Sequence, residues 1–338
     1  MDLSVLDVLP VGSSGSARQA LTGAVSLAQA ADRAGYRRLW FAEHHGMANI
    51  ASTSPELLIA HVAPATQRIR LGAGGVMLPN HTPLRVVEQY RTLEALHPGR
   101  IDLGIGRAAG TDPLTAHALR SNAGEKFAAL LGETLAFDAG EFPENHPYAR
   151  IEVTPSGVRL PPIWMLGSSG GSARLAGELG LGYAFAGHFS PASAVPAITS
   201  YRKSFVPSAA FAEPRVILAV HALCADTEAE ARELALAPLY ALTQIERGHT
   251  APVLTPEEVR ATGFRLDHAS GTMAKLLVFG TAGQVRARLE SLAAQAGADE
   301  LMLMTLSHAA EPRLRSYELL AQAFELRPDA SDVVASGA

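Results

Sequence analysis

Cysteine and lysine are nearly missing from this chain. Of 338 residues one is cysteine, Cys224, and three are lysine: Lys126, Lys203 and Lys275. A single cysteine excludes an internal disulfide and any metal site built from several thiolates. Cys224 lies in the apolar run VILAVHALCAD, so it reads as a buried, inert thiol in a reducing compartment. The net charge of -5, with no basic patch interleaved with aromatics, excludes a nucleic-acid binder. No apolar stretch approaches the roughly 20 residues that a membrane-spanning helix needs. The first residues, MDLSVLDVLP, lack the basic and long apolar segments of a signal peptide. The expectation is a soluble, cytoplasmic protein.

What is present is apolar residue in quantity: 48% hydrophobic against 18% charged, enough for a large core. The pattern alternates from the start. Strand-like runs are expected at residues 3–9, 38–42, 69–78, 101–105, 163–166, 183–186, 215–223 and 300–306. Helical spacing fills the gaps at 17–34, 54–66, 83–96, 125–137, 171–179, 192–205, 226–247 and 282–296, and a last helix runs to 326. Gly35 ends the first helix, and Ser54-Pro55 opens the second as N-cap and first-turn proline. About eight buried strands, each followed by a helix, make the (β/α)8 TIM barrel pattern. A doubly wound open sheet is the alternative, but it calls for a phosphate loop after the first strand, where this chain has only Gly12-Ser-Ser-Gly-Ser16. The expectation is one domain over residues 1–326, with a frayed tail at 327–338. Extra length sits at about 138–162 and 248–275, read as loop insertions at the carboxyl-end rim that overhang the mouth as lids.

The organising stretch is RRLWFAEHHGMAN, residues 37–49. Its apolar run reads as a buried parallel strand, and where it stops come Glu43, His44 and His45, then a turn at Gly46. Titratable side chains at such a strand end are where barrel enzymes place their chemistry. The same rim would gather Gly74, Gly75, Asn80, His81, Gly106, Arg107, the run Gly167–Ser172 and His188. Glycines inside the third strand fit either a bulge or the close approach of a flat ligand. The run Gly167, Ser168, Ser169, Gly170, Gly171, Ser172 lies between a strand and a helix, where free amides and hydroxyls suit a phosphate dianion. It is not a Walker A loop, and Arg107 is positioned to supply counter-charge. Gly104-x-Gly106-x-x-x-Gly110 has the wrong spacing for a dinucleotide fingerprint. A metal on His44 and His45 is disfavoured, because adjacent side chains on an extended chain point to opposite faces.

These segments together resemble the bacterial luciferase-like, flavin-dependent monooxygenases. The resemblance rests on LWFAEHHGM (39–47), RLGAGGVMLPNHTPLRVVEQ (70–89), HPGRIDLGIGRAAGTDP (97–113), WMLGSSGGSARLAGELGLGYAF (164–185), GTAGQVRARLESL and DELMLMT. It implies a (β/α)8 barrel binding reduced FMN or, in one branch, the deazaflavin F420. GSSGGS and EHH point to the FMN-using branch. The resemblance makes His44 the catalytic histidine near the reactive edge of the isoalloxazine, with a proton donor or acceptor role. It makes Gly74–Gly75 the often-cis peptide beneath the ring, and Arg107 with Ser168–Ser172 the phosphate grip. Gly106 stands where the light-emitting enzymes carry a reactive cysteine, which counts against bioluminescence and not against flavin binding. Residues 248–275 correspond to the loop that closes over the flavin, here short. The implied activity is oxygenation of a small, hydrophobic organic molecule by O2, with the reduced flavin supplied by a separate reductase. A homodimer is the family's usual assembly. Two other readings remain: a flavin-binding protein without turnover, and a phosphate-binding lyase or isomerase barrel, which would want a lysine or a Glu/His pair deep on a strand end.

Overall fold

The computed structural model describes residues 1–121, 126–269 and 271–328. The elements follow one another as β1 (Asp2–Asp7), α1 (Ala17–Ala34), β2 (Arg38–Phe41), α2 (Pro55–Val62), β3 (Arg70–Met77), α3 (Pro83–Leu96) and β4 (Ile101–Gly106). Then come α4 (Pro113–Ala118), α5 (Phe127–Ala139), β5 (Ile163–Gly167), α6 (Gly170–Glu178), β6 (Gly182–Phe185), α7 (Ala194–Ser204) and β7 (Val216–Ala225). The chain finishes with α8 (Glu228–Glu246), α9 (Pro256–Ala261), α10 (Thr272–Lys275), β8 (Val278–Thr281), α11 (Ala282–Ala296), β9 (Glu300–Met304) and α12 (Ala310–Ala323). None of the described helices is long and apolar enough to cross a membrane.

Every strand pairing is parallel. β1 to β7 follow in order around the wall, and β9 lies between β7 and β1, so eight strands close a (β/α)8 TIM barrel. β8 is extra: it pairs only with the last residues of β7, Ala222–Ala225, where β9 has already diverged. Its four residues, one of them glycine, are too few to show a period, which is why the sequence pattern passed over them. The short α4 and α9 are likewise absent from the periodicity, although Thr255 and Glu258 form a capping box at α9 that is readable in the sequence.

Strand alternation sorts side chains into two cores. One face of each strand packs against the surrounding helices, as Leu3, Val5, Leu39, Phe41, Leu71, Leu103 and Leu301 do. The other face fills the barrel, as Leu6, Val8, Trp40, Ala42, Trp164, Ala184, Ile217, Ala219, Met302 and Met304 do. At its amino end the interior is ionic. Arg38 makes a two-pronged pair with Glu300, at 2.7 and 3.0 Å, and reaches Asp102 at 2.7 Å. Asp102 also accepts from Arg70 at 2.7 Å and from the Trp40 indole at 3.0 Å, and Ser4 donates to Glu300. The Arg38 guanidinium lies 4.8 Å from the Trp164 ring centre. Burial pushes the Asp102 carboxyl up, but Arg70 and Arg38 outweigh it and hold it at about 2. Small residues make room for the two tryptophans: a Cβ on Gly72 would lie 2.6 Å from the Trp40 indole nitrogen, and one on Gly182 would lie 2.4 Å from the Trp164 ring.

The two long insertions end up at opposite ends of the barrel. The expectation that residues 138–162 overhang the mouth is corrected: this segment leads from α5 back to the start of β5, a helix-to-strand connection at the amino end. It is tied down there by Arg91 of α3, which binds Asp138 at 3.0 Å and the Val153 carbonyl. Residues 248–275 do reach the carboxyl end, where the Ser13 amide donates to the Val253 carbonyl at 2.9 Å. The tail expected to fray over 327–338 lies, from residue 329 onward, outside the described residues.

Because Arg38 neutralises two buried carboxylates, Arg38→Met is expected to lower the unfolding free energy by about 3–5 kcal/mol, as removal of one member of a buried ion network does. Urea unfolding at neutral pH measures it. A loss under about 1 kcal/mol would show that water or rearrangement replaces the guanidinium.

Candidate active site

Above the ionic plug the interior opens into a cavity of about 440 Å³ at the carboxyl end of the strands. Of the residues singled out from sequence, His44, Gly74, Gly106, Arg107, Gly167, Ser168, Ser169 and Ser172 line it. Gly75 and Gly170 do not. A Cβ on Gly75 would press on the Gly104 carbonyl at 2.8 Å, toward β4, whereas one on Gly74 would meet Leu6 inside the barrel. The Gly74–Gly75 peptide is cis. Gly170 opens α6 with its own face to solvent.

His44 reaches the cavity by simple alternation. Arg38, Trp40, Ala42 and His44 occupy every second position along β2 and its extension, so all four face inward. Its Nδ1 is buried and has no partner among the described residues. Burial lowers its pKa from the usual 6.5, with Glu43 opposing and His45 reinforcing, so the ring is neutral near pH 7.

Glu43 and His45 take the opposite face. The Glu43 carboxylate is buried and accepts from the Met77 amide at 2.8 Å and the Asn80 amide at 3.0 Å. His45 Nε2 lies 2.9 Å from it and His81 Nε2 3.0 Å. Burial pushes the Glu43 carboxyl up, but the bonds from His45 and His81 dominate and hold it at about 2. In return, Glu43 raises the pKa of His81 against the effect of burial. One carboxylate thus clamps the end of β2 to the segment after β3. The next loop is pinned as well: the His45 amide donates to the Gly110 carbonyl at 3.2 Å and Thr111 donates to the His45 carbonyl at 2.6 Å. Adjacent histidines therefore diverge, and no group of three or more His, Cys, Asp or Glu among the described residues is arranged to hold a metal ion.

The cavity has a wet end and a dry end. At the wet end Arg107, Ser168 and Ser169 are exposed, and α6 begins with Ser169 as an N-cap whose side chain makes no capping bond. Added Cβ atoms on Gly170 and Gly171 would meet nothing within 4 Å, so no neighbouring side chain crowds these two positions at the start of α6. The Ser172 hydroxyl donates to the Ser169 carbonyl at 3.1 Å, and the close approach of that hydroxyl is what leaves no room for a side chain at Gly167. Arg107 has no ion pair among the described residues. At the dry end stand Leu6, Trp40, Leu166, Met302, Met304 and Leu306, roofed by Leu242, Ile245 and Met273.

Two lining histidines escaped assignment from sequence. His188 stood on the expected rim without a role, and His221 was absorbed into an apolar strand. Its signal was present: His221 is the one polar residue in VILAVHALCA, two positions beyond the inward-facing Ala219. Cys224 lies on the opposite, helix-facing side of the same strand, where burial, with a smaller push from Asp226, lifts its thiol to about 11.

Residues 1–300 match the model of the luciferase-like monooxygenase family. The chain belongs to that family of oxidoreductases. It is 40% identical over 335 residues to the protein YvbT of Bacillus subtilis, covering 96% of this chain and 97% of that one. It is 36% identical over 321 residues to a luciferase-like monooxygenase of Escherichia coli K12, covering 94% and 95%. Among solved structures, apo-MsnO8 superposes with a TM-score of 0.88 at 36% identity, covering 97% of this chain and 98% of that one. Two more distant structures share the fold alone. One is the oxygenating component of 3,6-diketocamphane monooxygenase in complex with FMN (TM-score 0.69, 21% identity, 97% and 98% covered). The other is an F420-dependent secondary alcohol dehydrogenase (TM-score 0.66, 15% identity, 95% and 98% covered).

Glu43→Gln puts an amide among donors and is expected to cost about 2–4 kcal/mol at pH 7. A carboxyl with a depressed folded pKa stabilises above its unfolded value of 4.5, and that contribution is lost as pH falls toward 2. The gap between wild type and variant in urea midpoint is therefore expected to close over that window. A gap that stays constant with pH would exclude the carboxylate charge as its source.

Proposed function

We propose that this chain is the oxygenating component of a two-component flavin monooxygenase, taking reduced FMN from a separate reductase and using O2 to oxygenate a small apolar molecule. The observation that carries this reading is the polarity of one continuous slot. A charged, amide-rich, solvent-facing end at Arg107, Ser168, Ser169 and the start of α6 gives way to an apolar interior beside Gly74 and His44. A phosphate on a flat, largely apolar ring system has that polarity, and the donor set fits it: helix amides, serine hydroxyls and a guanidinium with no other ion partner. Gly106 and Gly167 keep side chains out of the approach, and Gly74 gives the ring a bed without a side chain.

Reduced FMN, when bound, supplies the two electrons with which O2 delivers one oxygen atom to the substrate and the other to water. The protein's share is steric and protonic. Leu242, Ile245 and Met273 close the slot from above and keep water from the reacting atoms. His44 holds or moves a proton at its unpartnered Nδ1, and Glu43, through His45 and His81, fixes the loop that carries it. The proposal extends to a cytoplasmic homodimer; Leu57 on α2 and Leu96 on α3, 67% and 64% exposed, are apolar side chains that a second copy would cover. F420 in place of FMN, giving hydride transfer, and flavin binding without turnover are the competing readings.

Anaerobic titration with reduced FMN, F420 and riboflavin separates them. FMN is expected to bind in preference to F420, and Arg107→Ala to weaken FMN about tenfold or more while leaving riboflavin affinity unchanged, because only the phosphate contact is lost. Selective F420 binding would move the protein to hydride transfer, and an equal loss for riboflavin would remove Arg107 from the phosphate grip. Substrate-dependent oxygen uptake after admission of air distinguishes an enzyme from a flavin store.

His44 gives a separate prediction. Its folded pKa lies below 6.5, so the neutral imidazole prevails at pH 7 and is lost as pH falls through the lowered value. Turnover is expected to fall on that acid limb, and His44→Asn to reduce it about 10²–10⁴-fold and flatten the limb. A variant that keeps wild-type turnover with the same pH profile would exclude the role.

A further inference from the structure

Opposite the Gly74 wall the cavity ends on two histidines that the chemistry above does not use. Around the barrel β3 and β7 lie across from each other, with β4, β5 and β6 between them on one side and β2, β1 and β9 on the other. His221, on β7, is 1% exposed, and neither of its ring nitrogens has a hydrogen-bond partner among the described residues. His188 follows β6 and stands edge-on to it, ring centres 5.3 Å apart at 80°. Its Nδ1 lies 3.4 Å from the Ala219 carbonyl, which assigns the proton to Nδ1 and leaves Nε2 an acceptor.

Two buried imidazoles side by side are costly to the fold. An unpaired buried polar ring forfeits its hydration with no return, so an apolar residue of similar size would serve the core better. Most of the lining at this end is apolar, Leu6, Ala219, Leu242, Met302, Met304 and Leu306, and His44 is the polar side chain near enough to His188 to act on its charge. A polar pair kept in such surroundings points to a partner that comes from outside. Its charge type is constrained too. Burial, reinforced by the His221 and His44 rings and opposed by the Ala219 carbonyl, pushes His188 down to about 3. Burial pushes His221 down to about 4 against a weaker opposing influence from the Met304 main chain, which lies near the ring but outside hydrogen-bond geometry. Both rings are neutral near pH 7 and offer one N–H and acceptor nitrogens, with no positive charge to hold an anion.

We propose that His221 and His188 form the floor of a substrate subsite that grips an uncharged oxygen function, a hydroxyl or carbonyl, on an otherwise apolar molecule. His221 donates to the oxygen, a hydroxyl also donates back to a free imidazole nitrogen, and the apolar wall receives the rest. As a statement about substrate it rests on the monooxygenase reading, since it assigns the space left between the Gly74 wall and β7. As a binding site it stands on His221 and His188 alone.

The test uses three molecules of one shape: 2-naphthol, 2-methylnaphthalene and 2-naphthoate. Calorimetric titration at neutral pH is run on the whole protein, both alone and saturated with oxidised FMN. The naphthol is expected to bind about tenfold tighter than the methyl compound, the worth of one or two neutral hydrogen bonds, and also tighter than the naphthoate. His221→Leu is expected to bring the naphthol down to the affinity of the methyl compound, and to melt at or above the wild-type temperature because an unpaired polar ring is gone. Equal affinities for naphthol and methylnaphthalene in the wild type would overturn the proposal. So would tightest binding by the naphthoate, no binding by any of the three, or a naphthol preference untouched by His221→Leu. Failure of FMN to bind while the His221-dependent preference persists would remove the flavin reading and leave the subsite. FMN binding with a flat naphthol ratio would do the reverse.

Discussion

Arg38 is the constraint on which the rest of the barrel depends. One guanidinium, 3% exposed, joins strands that are not neighbours: it leaves β2 and meets Glu300 on β9 and Asp102 on β4. Two carboxylates pointing into one closed interior would repel each other and pay heavily for lost hydration; with Arg38 and Arg70 present they become cross-braces. The bracing fills the amino half of the barrel with charge and with the two tryptophans packed on that charge. No comparable plug fills the carboxyl half, and the cavity lies there. Division of the interior into a filled half and an open half is thus a matter of which inward positions carry large paired side chains and which carry glycine, alanine and methionine.

The site at the open end repeats the device on a smaller scale. Glu43 does for the end of β2 and the segment after β3 what Glu300 and Asp102 do for the strands, gathering His45, His81, Asn80 and the Met77 amide around one buried carboxylate. Its position next to His44 in the chain makes the division of labour automatic, since consecutive residues on an extended backbone face opposite ways. One faces the scaffold and is fully satisfied. The other faces the cavity and keeps a nitrogen free. Satisfied polar groups hold the wall in place, whereas His44 and His221 face the cavity with ring nitrogens that have no partner among the described residues.

Much of this was legible in the residues. Alternating strand and helix patterns, Gly35 and Pro55 at helix boundaries, and glutamate and histidines at the end of an apolar run point to a barrel with its chemistry at the carboxyl rim. The glycine–serine turn before α6 reads as an anion site from local composition, because a helix N-terminus has the same free amides wherever it occurs. Short elements left no such trace. β8 has four residues and α4 six, under two full repeats of the helical period for α4 and barely two of the strand period for β8, too few to stand out. Residues 138–162 suggest an overhang at the mouth by their length alone, but they sit between a helix and a strand, and that order places them at the amino end, where Arg91 and Asp138 hold them.

What the sequence determined by itself, then, is everything carried by near neighbours in the chain: the repeating units, their caps, the alternation that turns His44 inward and Glu43 outward, and the glycine–serine turn before α6. The tertiary structure alone decided which distant residues share a space. Arg38 finds Glu300 across 262 positions of chain, Glu43 finds His81 across 38, and His221 finds His188 across 33. In the sequence each of these is a charged or polar residue in an apolar run with no visible partner. Closure of the sheet brings the partners together for the first two and leaves the last pair open to the cavity, because burial excludes water and makes the presence or absence of a partner count.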